Sequence, residues 1–142
     1  MFGEKPIYGQ SVGHTDKKCR ICLPSFTEVS PEDDLIIMKD AYGYRVVDAQ
    51  IVDEYIQFLE TKYREELDFE KQHEIGERLL LIYESIVKHS SCDKQHRIIL
   101  SKFLEPESEY LIIGCRTSVL LKPNKEHQKK LGYQDKESKP NL

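Results

Sequence analysis

The sequence predicts an α+β fold in which two tandem β units pack on each other as a pseudo-dimer, with a helical pair between them. The first observation is an internal repeat, because residues 15–26, TDKKCRICLPSF, recur as residues 92–103, CDKQHRIILSKF, at a constant offset of 77. The second observation is a stretch of helical periodicity that separates the two copies. A unit of a few short strands cannot close a core alone, so we expect the copies to pack together.

Each copy reads as three short strands. An apolar run led by arginine comes first, an apolar burst follows an acidic loop, and a turn leads to a third apolar run. The predicted strands are 20–23, 35–40 and 44–47 in the first copy and 97–100, 111–116 and 118–121 in the second, with turns at 41–43 and 116–117.

Apolar residues at helical spacing predict one helix over 49–66 and a second over 71–88, separated by a break at 67–69. The aromatic side chains of these helices are more numerous than one small sheet needs, which favours a subunit interface. The predicted division of the chain is 1–48 for the first β unit, 49–90 for the helical spacer, 91–133 for the second β unit and 134–142 for a flexible, lysine-rich tail.

Composition predicts a cytoplasmic globular protein of 142 residues. There is no apolar run long enough to span a membrane, and the first residues do not form a secretory signal. The four cysteines are therefore expected to be reduced thiols. The net charge of −4 is divided unevenly, being −1 over 1–47, −6 over 48–91 and +3 over 92–142, so both flanks of the chain can present positive surface.

The repeat also duplicates a charged DxxxR element, Asp16 to Arg20 and Asp93 to Arg97. An arginine fork can hold two acceptors on a guanine edge or a phosphate, and a neighbouring lysine adds a point charge for the DNA backbone. The alternative interpretation is an Asp–Arg ion pair that fixes the loop before the first strand. Both roles are compatible, because the aspartate can orient the arginine that touches DNA.

These paired elements resemble the DxxxR signatures of the MraZ branch of the AbrB-like (SpoVT/AbrB) family of swapped-hairpin regulators. His14, the RICLPSF stretch at 20–26, the spacer ending in ERLLLIYES, the DKQ-RIIL restart and the IIGCRTSVLL close follow in the family's order over nearly the whole chain. The sequence departs from the family at Cys19 and His96, where glycine is usual, and at Thr27 and Ser101.

The resemblance implies a pseudo-dimeric barrel and a bacterial transcriptional regulator on the nucleoid that binds short repeated boxes of double-stranded DNA. It also implies a homo-oligomer that can be ring-like. Carried over residue by residue, it assigns DNA contact to basic residues in and beside the two elements, with Asp16 and Asp93 as their structural partners. The assigned residues are Arg20, Arg97, Lys17, Lys18 and Lys94.

Three alternatives stay open. The same fold also serves DNA-binding antitoxins, although those normally carry one unit and a disordered toxin-binding tail. A scaffold protein with a decayed basic site is a further alternative.

The Cys19-x-x-Cys22 spacing suggests zinc, with Cys92, Cys115, His14, His89 and His96 as candidate further ligands. Residues three apart on a strand face opposite sides, and Cys22 and Cys115 read as core fillers, so we expect no metal and no cofactor. No catalytic motif is present, and we expect no enzyme activity.

Overall fold

The computed structural model describes residues 2–124, and the predicted tail at 134–142 lies outside this range. Within it the chain forms eight strands and two long helices, with a short 3-10 turn at Ser25–Thr27. Their bounds are β1 Gln10–His14, β2 Arg20–Cys22, β3 Leu35–Lys39, β4 Tyr44–Asp48, α1 Ala49–Glu65, α2 Phe69–Ser85, β5 Ile86–Ser90, β6 Arg97–Ile99, β7 Glu109–Gly114 and β8 Ser118–Pro123. The α+β class predicted from the sequence is confirmed.

The strand order carries the symmetry of the repeat. Six strands form an antiparallel sheet in the order β1-β7-β8-β4-β3-β5, and β2 and β6 pair with each other as a separate two-stranded ribbon. Exchanging β1 with β5, β3 with β7 and β4 with β8 reverses the sheet order onto itself. The strand order therefore has the pseudo-two-fold symmetry expected of two equivalent copies.

The register follows the same symmetry. Leu35 of β3 lies between Asp48 and Ser90, and Tyr110 of β7 lies between Pro123 and Gly13 in the equivalent way. Leu35 and Tyr110 are 75 positions apart, whereas the DxxxR elements are 77 apart, so the connection after β6 is two residues shorter than the one after β2. The duplication thus tolerates a change of length in a loop without a change in sheet pairing.

The two faces of the sheet bury different partners, because successive strand residues point to opposite sides. One face packs on the ribbon, whose central pair Ile21 and Ile98 is fully buried. Residues of the sheet such as Ile37 and Ile112 complete this main core. The other face presents Ile36 to α1. The ribbon consequently packs on the sheet through its inner side.

The two helices form a hairpin with little burial of its own. Asp48 and Asp68 cap the helices by accepting hydrogen bonds from the amides of Gln50 at 2.9 Å and Glu70 at 3.2 Å. Within α2 only Leu79 is buried. Eight large apolar side chains of the hairpin are 41–99% exposed: Tyr55, Phe58, Tyr63, Leu67, Phe69, Leu80, Leu81 and Tyr83. Between residues 2 and 124, neither helix combines the length and the apolar run that a bilayer crossing requires.

One predicted element has a wrong boundary, and one strand has no counterpart among the predicted elements. The helical pattern over 71–88 includes Ile86, but α2 ends at Ser85 and Ile86 begins strand β5. The chain enters the sheet there because β5 pairs with β3. Strand β1 was not predicted at all, since its one large apolar residue, Val12, is 52% exposed and leaves no sign of burial in the sequence.

Candidate nucleic-acid interface

The first DxxxR element is a tight turn organised by one carboxylate. Asp16 Oδ1 accepts hydrogen bonds from the backbone amides of Lys18 and Arg20, each at 2.9 Å. Asp16 Oδ2 accepts from Arg20 Nε at 2.6 Å, and the Asp16 amide donates to the Arg20 carbonyl at 3.0 Å. The carboxylate thus folds the turn and orients the arginine at the same time.

The second element repeats this arrangement atom for atom. Asp93 Oδ1 accepts from the amides of Gln95 at 2.8 Å and Arg97 at 2.9 Å, and Asp93 Oδ2 accepts from Arg97 Nε at 2.9 Å. The ion-pair interpretation of both elements is confirmed. Both bonds use Nε, so the two terminal nitrogens of each guanidinium are not engaged by the aspartate.

The hydrogen bonds keep both aspartates ionised. For Asp16, the amide of Arg20 is the largest cause that lowers the pKa, and the Arg20 side chain and the Lys18 amide also lower it, whereas desolvation opposes them. For Asp93, the amide and side chain of Arg97 and the amide of Gln95 lower the pKa in the same way. Each turn therefore holds a full ion pair at neutral pH.

The residue before each arginine has an unusual backbone conformation. Cys19 has φ of 58° and His96 has φ of 59°, in the left-handed region that glycine adopts without cost. This conformation explains why the resemblance places glycine at both positions. Here each side chain gains a contact, since Cys19 Sγ lies 3.4 Å from the Leu104 carbonyl and His96 Nδ1 lies 3.0 Å from the Val29 carbonyl.

Both arginines lie on the same face of the ribbon. Arg20 pairs with Ile99, and Cys22 pairs with Arg97, on either side of the buried Ile21–Ile98 pair. Since Ile21 and Ile98 point into the core, strand alternation turns the four flanking residues outward. We call Arg20, Cys22, Arg97 and Ile99 the outer face of the ribbon.

The surroundings of this face are basic. Lys17, Lys18 and Lys94 are exposed in the two turns, next to the arginines, whose side chains are 27% and 29% exposed. These five cations lie beside two aspartates, and the exposed Glu107 also lies at the first turn, where its amide donates to the Asp16 carbonyl at 3.3 Å. All five basic residues predicted from the sequence lie on the ribbon or in the turns at its two ends.

Two residues of the outer face were missed by the sequence prediction. Cys22 was interpreted as a core filler and this is wrong, because the side chain is exposed beside Arg97. The sequence places Ile99 in an apolar strand without indicating which side it faces, and the structure leaves it 47% exposed. The repeat contains a signal for this outward placement. Ile21 and its equivalent Ile98 are both apolar, and if both are buried, the strand residues on either side of each must face outward.

Among residues 2–124, no cluster of histidine, cysteine and carboxylate side chains is arranged to hold a metal ion. Cys19 is buried and Cys22 is exposed, so the two thiols face opposite sides of the ribbon. Unlike the ribbon, a depression of about 270 Å³ at the start of α1 is acidic. It is lined by carboxylates that would repel nucleic acid. Its acidic residues are Glu32, Asp33, Asp34, Asp48 and Asp53.

Comparison with known proteins gives no further assignment. No family model matches the chain, and no curated protein sequence matches it. The resemblance to the MraZ branch therefore rests on the paired elements at 16–20 and 93–97 and on the order of the segments around them.

Proposed function

We propose that this chain is a sequence-specific regulator of transcription that binds double-stranded DNA through the outer face of the ribbon and the two turns that flank it. The observation that carries the proposal is the pair of identical Asp–Arg turns related by a pseudo-two-fold axis, with both arginines outward and three lysines exposed beside them. Such a protein would act on the bacterial nucleoid.

Size and charge support this assignment. The major groove of B-DNA is wide enough to admit a two-stranded β-ribbon. In each turn the aspartate holds the guanidinium through Nε, so the two terminal nitrogens are available to a further acceptor. A fork held in one orientation loses less conformational entropy when it binds a guanine edge or a phosphate.

A second part of the proposal concerns assembly. We infer that the two β units together close a pseudo-dimeric barrel, and that the helical hairpin joins copies of the chain into a homo-oligomer that can be ring-like. The shared core, which contains residues of both repeats, supports the barrel. The eight exposed apolar side chains of the hairpin support the oligomer, because monomers seldom expose so large an apolar surface.

The direct test is a titration of DNA taken from upstream of the protein's own gene, at several salt concentrations, with the full chain. Wild type should bind with an affinity that falls as salt rises, by a slope of roughly −0.9 for each phosphate contacted. Arg20→Ala or Arg97→Ala should weaken binding by about 1–3 kcal/mol each if the fork reads a base. Lys17→Ala should weaken all sequences about equally.

Arg78→Ala is the matched control, since Arg78 is an exposed arginine on α2, away from the ribbon. It should bind DNA as wild type does. If the folded double variant Arg20→Ala/Arg97→Ala binds with undiminished affinity, the site assignment is wrong. If wild type binds no upstream DNA, the scaffold alternative is favoured.

A further inference from the structure

The outer face of the ribbon is symmetric in its charges and asymmetric in its apolar residues. Arg20 and Arg97 occupy equivalent places, 77 positions apart, and by the same offset Cys22 is the equivalent of Ile99. Each arginine therefore has a cross-strand neighbour, but Arg20 faces a branched aliphatic side chain and Arg97 faces a small thiol. Directly opposite residues on one face of an antiparallel pair lie about 5 Å apart.

We propose that Ile99 and Cys22 determine the sequence specificity of the ribbon and give the bound DNA box a direction. This inference rests on the proposed function. Ile99 contacts the C5-methyl group of a thymine beside the base or phosphate held by Arg20. The shorter Cys22 does not reach the equivalent methyl group beside Arg97.

The physical basis is the chemistry of the major-groove edge. Only thymine presents a methyl group there, and apolar side chains recognise it by contact. Ile99 is 47% exposed although it is a branched aliphatic residue, so binding would remove apolar surface from water. Its backbone is held as well, since Lys88 Nζ donates to the Ile99 carbonyl at 2.9 Å.

The asymmetry in the turns has a different consequence. Lys18 in the first turn corresponds to Gln95 in the second, and both lie outside the ribbon strands. A lysine at the edge of the site adds a phosphate contact, which changes affinity for every sequence equally. Direction in the recognised box is therefore assigned to the Cys22 and Ile99 positions.

The test is selection of bound sites from a random double-stranded library by the full-length protein, followed by methyl deletion. Wild type should select an asymmetric site with a thymine on one side. Replacing that thymine by deoxyuridine should weaken wild type by about fourfold, the equivalent of one buried methyl group, and should not affect Ile99→Ala. Cys22→Ile should select a second thymine at the position related by the pseudo-two-fold axis.

Val12→Ala is the control, because Val12 is an exposed β-branched residue on β1 rather than on the ribbon. It should select the wild-type site and keep the deoxyuridine effect. If wild type and both ribbon variants select one site, or if deoxyuridine has no effect on wild type, the inference is overturned while the proposed function stands. If wild type binds no DNA, or Arg20→Ala/Arg97→Ala binds normally, the proposed function fails and the inference fails with it.

Discussion

At the scale of single residues, each DxxxR element combines a structural ion pair with the DNA contact that we propose for its arginine. The carboxylate of Asp93 accepts hydrogen bonds from two backbone amides and from one guanidinium nitrogen. All three donors lie within four residues of Asp93 in the chain. The left-handed residue before the arginine lets the chain return to the carboxylate within four positions. The bonds that the carboxylate makes are therefore the same in both copies, although the turns have different neighbours, Leu104 beside Cys19 and Val29 beside His96.

Asp93→Ala is expected to lower the free energy of unfolding, because two amides and Arg97 lose their acceptor. Asp93→Asn should lower it less, since the amide oxygen can still accept from the backbone. Urea unfolding of the three proteins measures both differences. Equal stability of wild type and Asp93→Ala would show that water replaces the carboxylate without loss.

The two aspartates also predict a dependence of stability on pH. Their pKa values are lowered in the folded protein, so their contribution is fully present above the ordinary value of 3.8 and is lost as pH falls through the lowered values. The difference in unfolding free energy between wild type and Asp16→Asn/Asp93→Asn should be constant near neutral pH and should shrink below about pH 4. A difference that is independent of pH down to pH 2 would contradict this.

At the scale of elements, the sequence predicted the inner strands and missed the two edges. β3, β4, β7 and β8 each lie between two neighbours, and their apolar runs at 35–37 and 119–121 are visible without a structure. β1 and β5 are the edge strands, with one neighbour each and few buried side chains. Strands are predicted from the periodic pattern of apolar residues, and burial is what requires those residues to be apolar. A strand with few buried side chains therefore has a weak pattern in the sequence.

The predicted end of the second helix is wrong for a related reason. Ile82 and Ile86 continue the helical spacing of α2, and between them there is no glycine or proline to mark an end. What ends the helix is pairing of β5 with β3, a contact between positions about 50 apart in the chain. The DxxxR site was predictable because its contacts span only four residues, whereas Cys22 and Ile99 gain their place from pairing across the repeat.

The β3–β4 hairpin gives a prediction about a glycine. Asp40 Oδ1 accepts from the amides of Tyr42 at 2.8 Å and Gly43 at 3.1 Å, so the carboxylate closes the turn. A Cβ at position 43 would lie 2.2 Å from the Leu121 carbonyl oxygen, which is backbone and cannot move alone. Gly43→Ala should therefore destabilise the protein by about 3 kcal/mol, the upper part of the range for overpacking.

Thermal and urea unfolding would measure this loss, with Tyr42→Ala as the control in the same turn. Tyr42 is 63% exposed, and its truncation should change stability by no more than about 0.5 kcal/mol. A Gly43→Ala protein as stable as wild type would mean that the β4–β8 contact is looser than the distance indicates.

At the scale of the whole molecule, the proposed DNA contact and the proposed self-association use different parts of the chain. The basic outer face belongs to the ribbon, and the exposed apolar residues belong to the hairpin, which packs on the sheet face opposite the ribbon through α1. Subunits joined through their hairpins would leave their ribbons free. Assembly and DNA binding are therefore compatible in one particle.

We expect wild type to be larger than a monomer at micromolar concentration and Phe69→Gln/Leu81→Gln to be smaller than wild type. Phe69 and Leu81 are 79% and 62% exposed on α2, so their replacement costs little folding stability while it removes apolar contact area. Light scattering coupled to size exclusion measures the masses. Tyr8→Gln is the control, an aromatic that is 66% exposed outside the hairpin and should leave the mass unchanged.

The salt dependence of DNA binding should report how many subunits engage one DNA molecule. Each phosphate contact contributes a slope of roughly −0.9 in log affinity against log salt, so the slope grows with the number of ribbons that bind together. On DNA that carries several copies of the selected box, Phe69→Gln/Leu81→Gln should show a smaller slope and a lower affinity than wild type, because subunits that are no longer linked lose the effective concentration of their neighbours. On DNA that carries a single box, the two proteins should show the same slope, since one ribbon suffices there. Equal slopes on both DNAs for a wild type that is oligomeric in light scattering would mean that only one ribbon of the particle can reach DNA at a time.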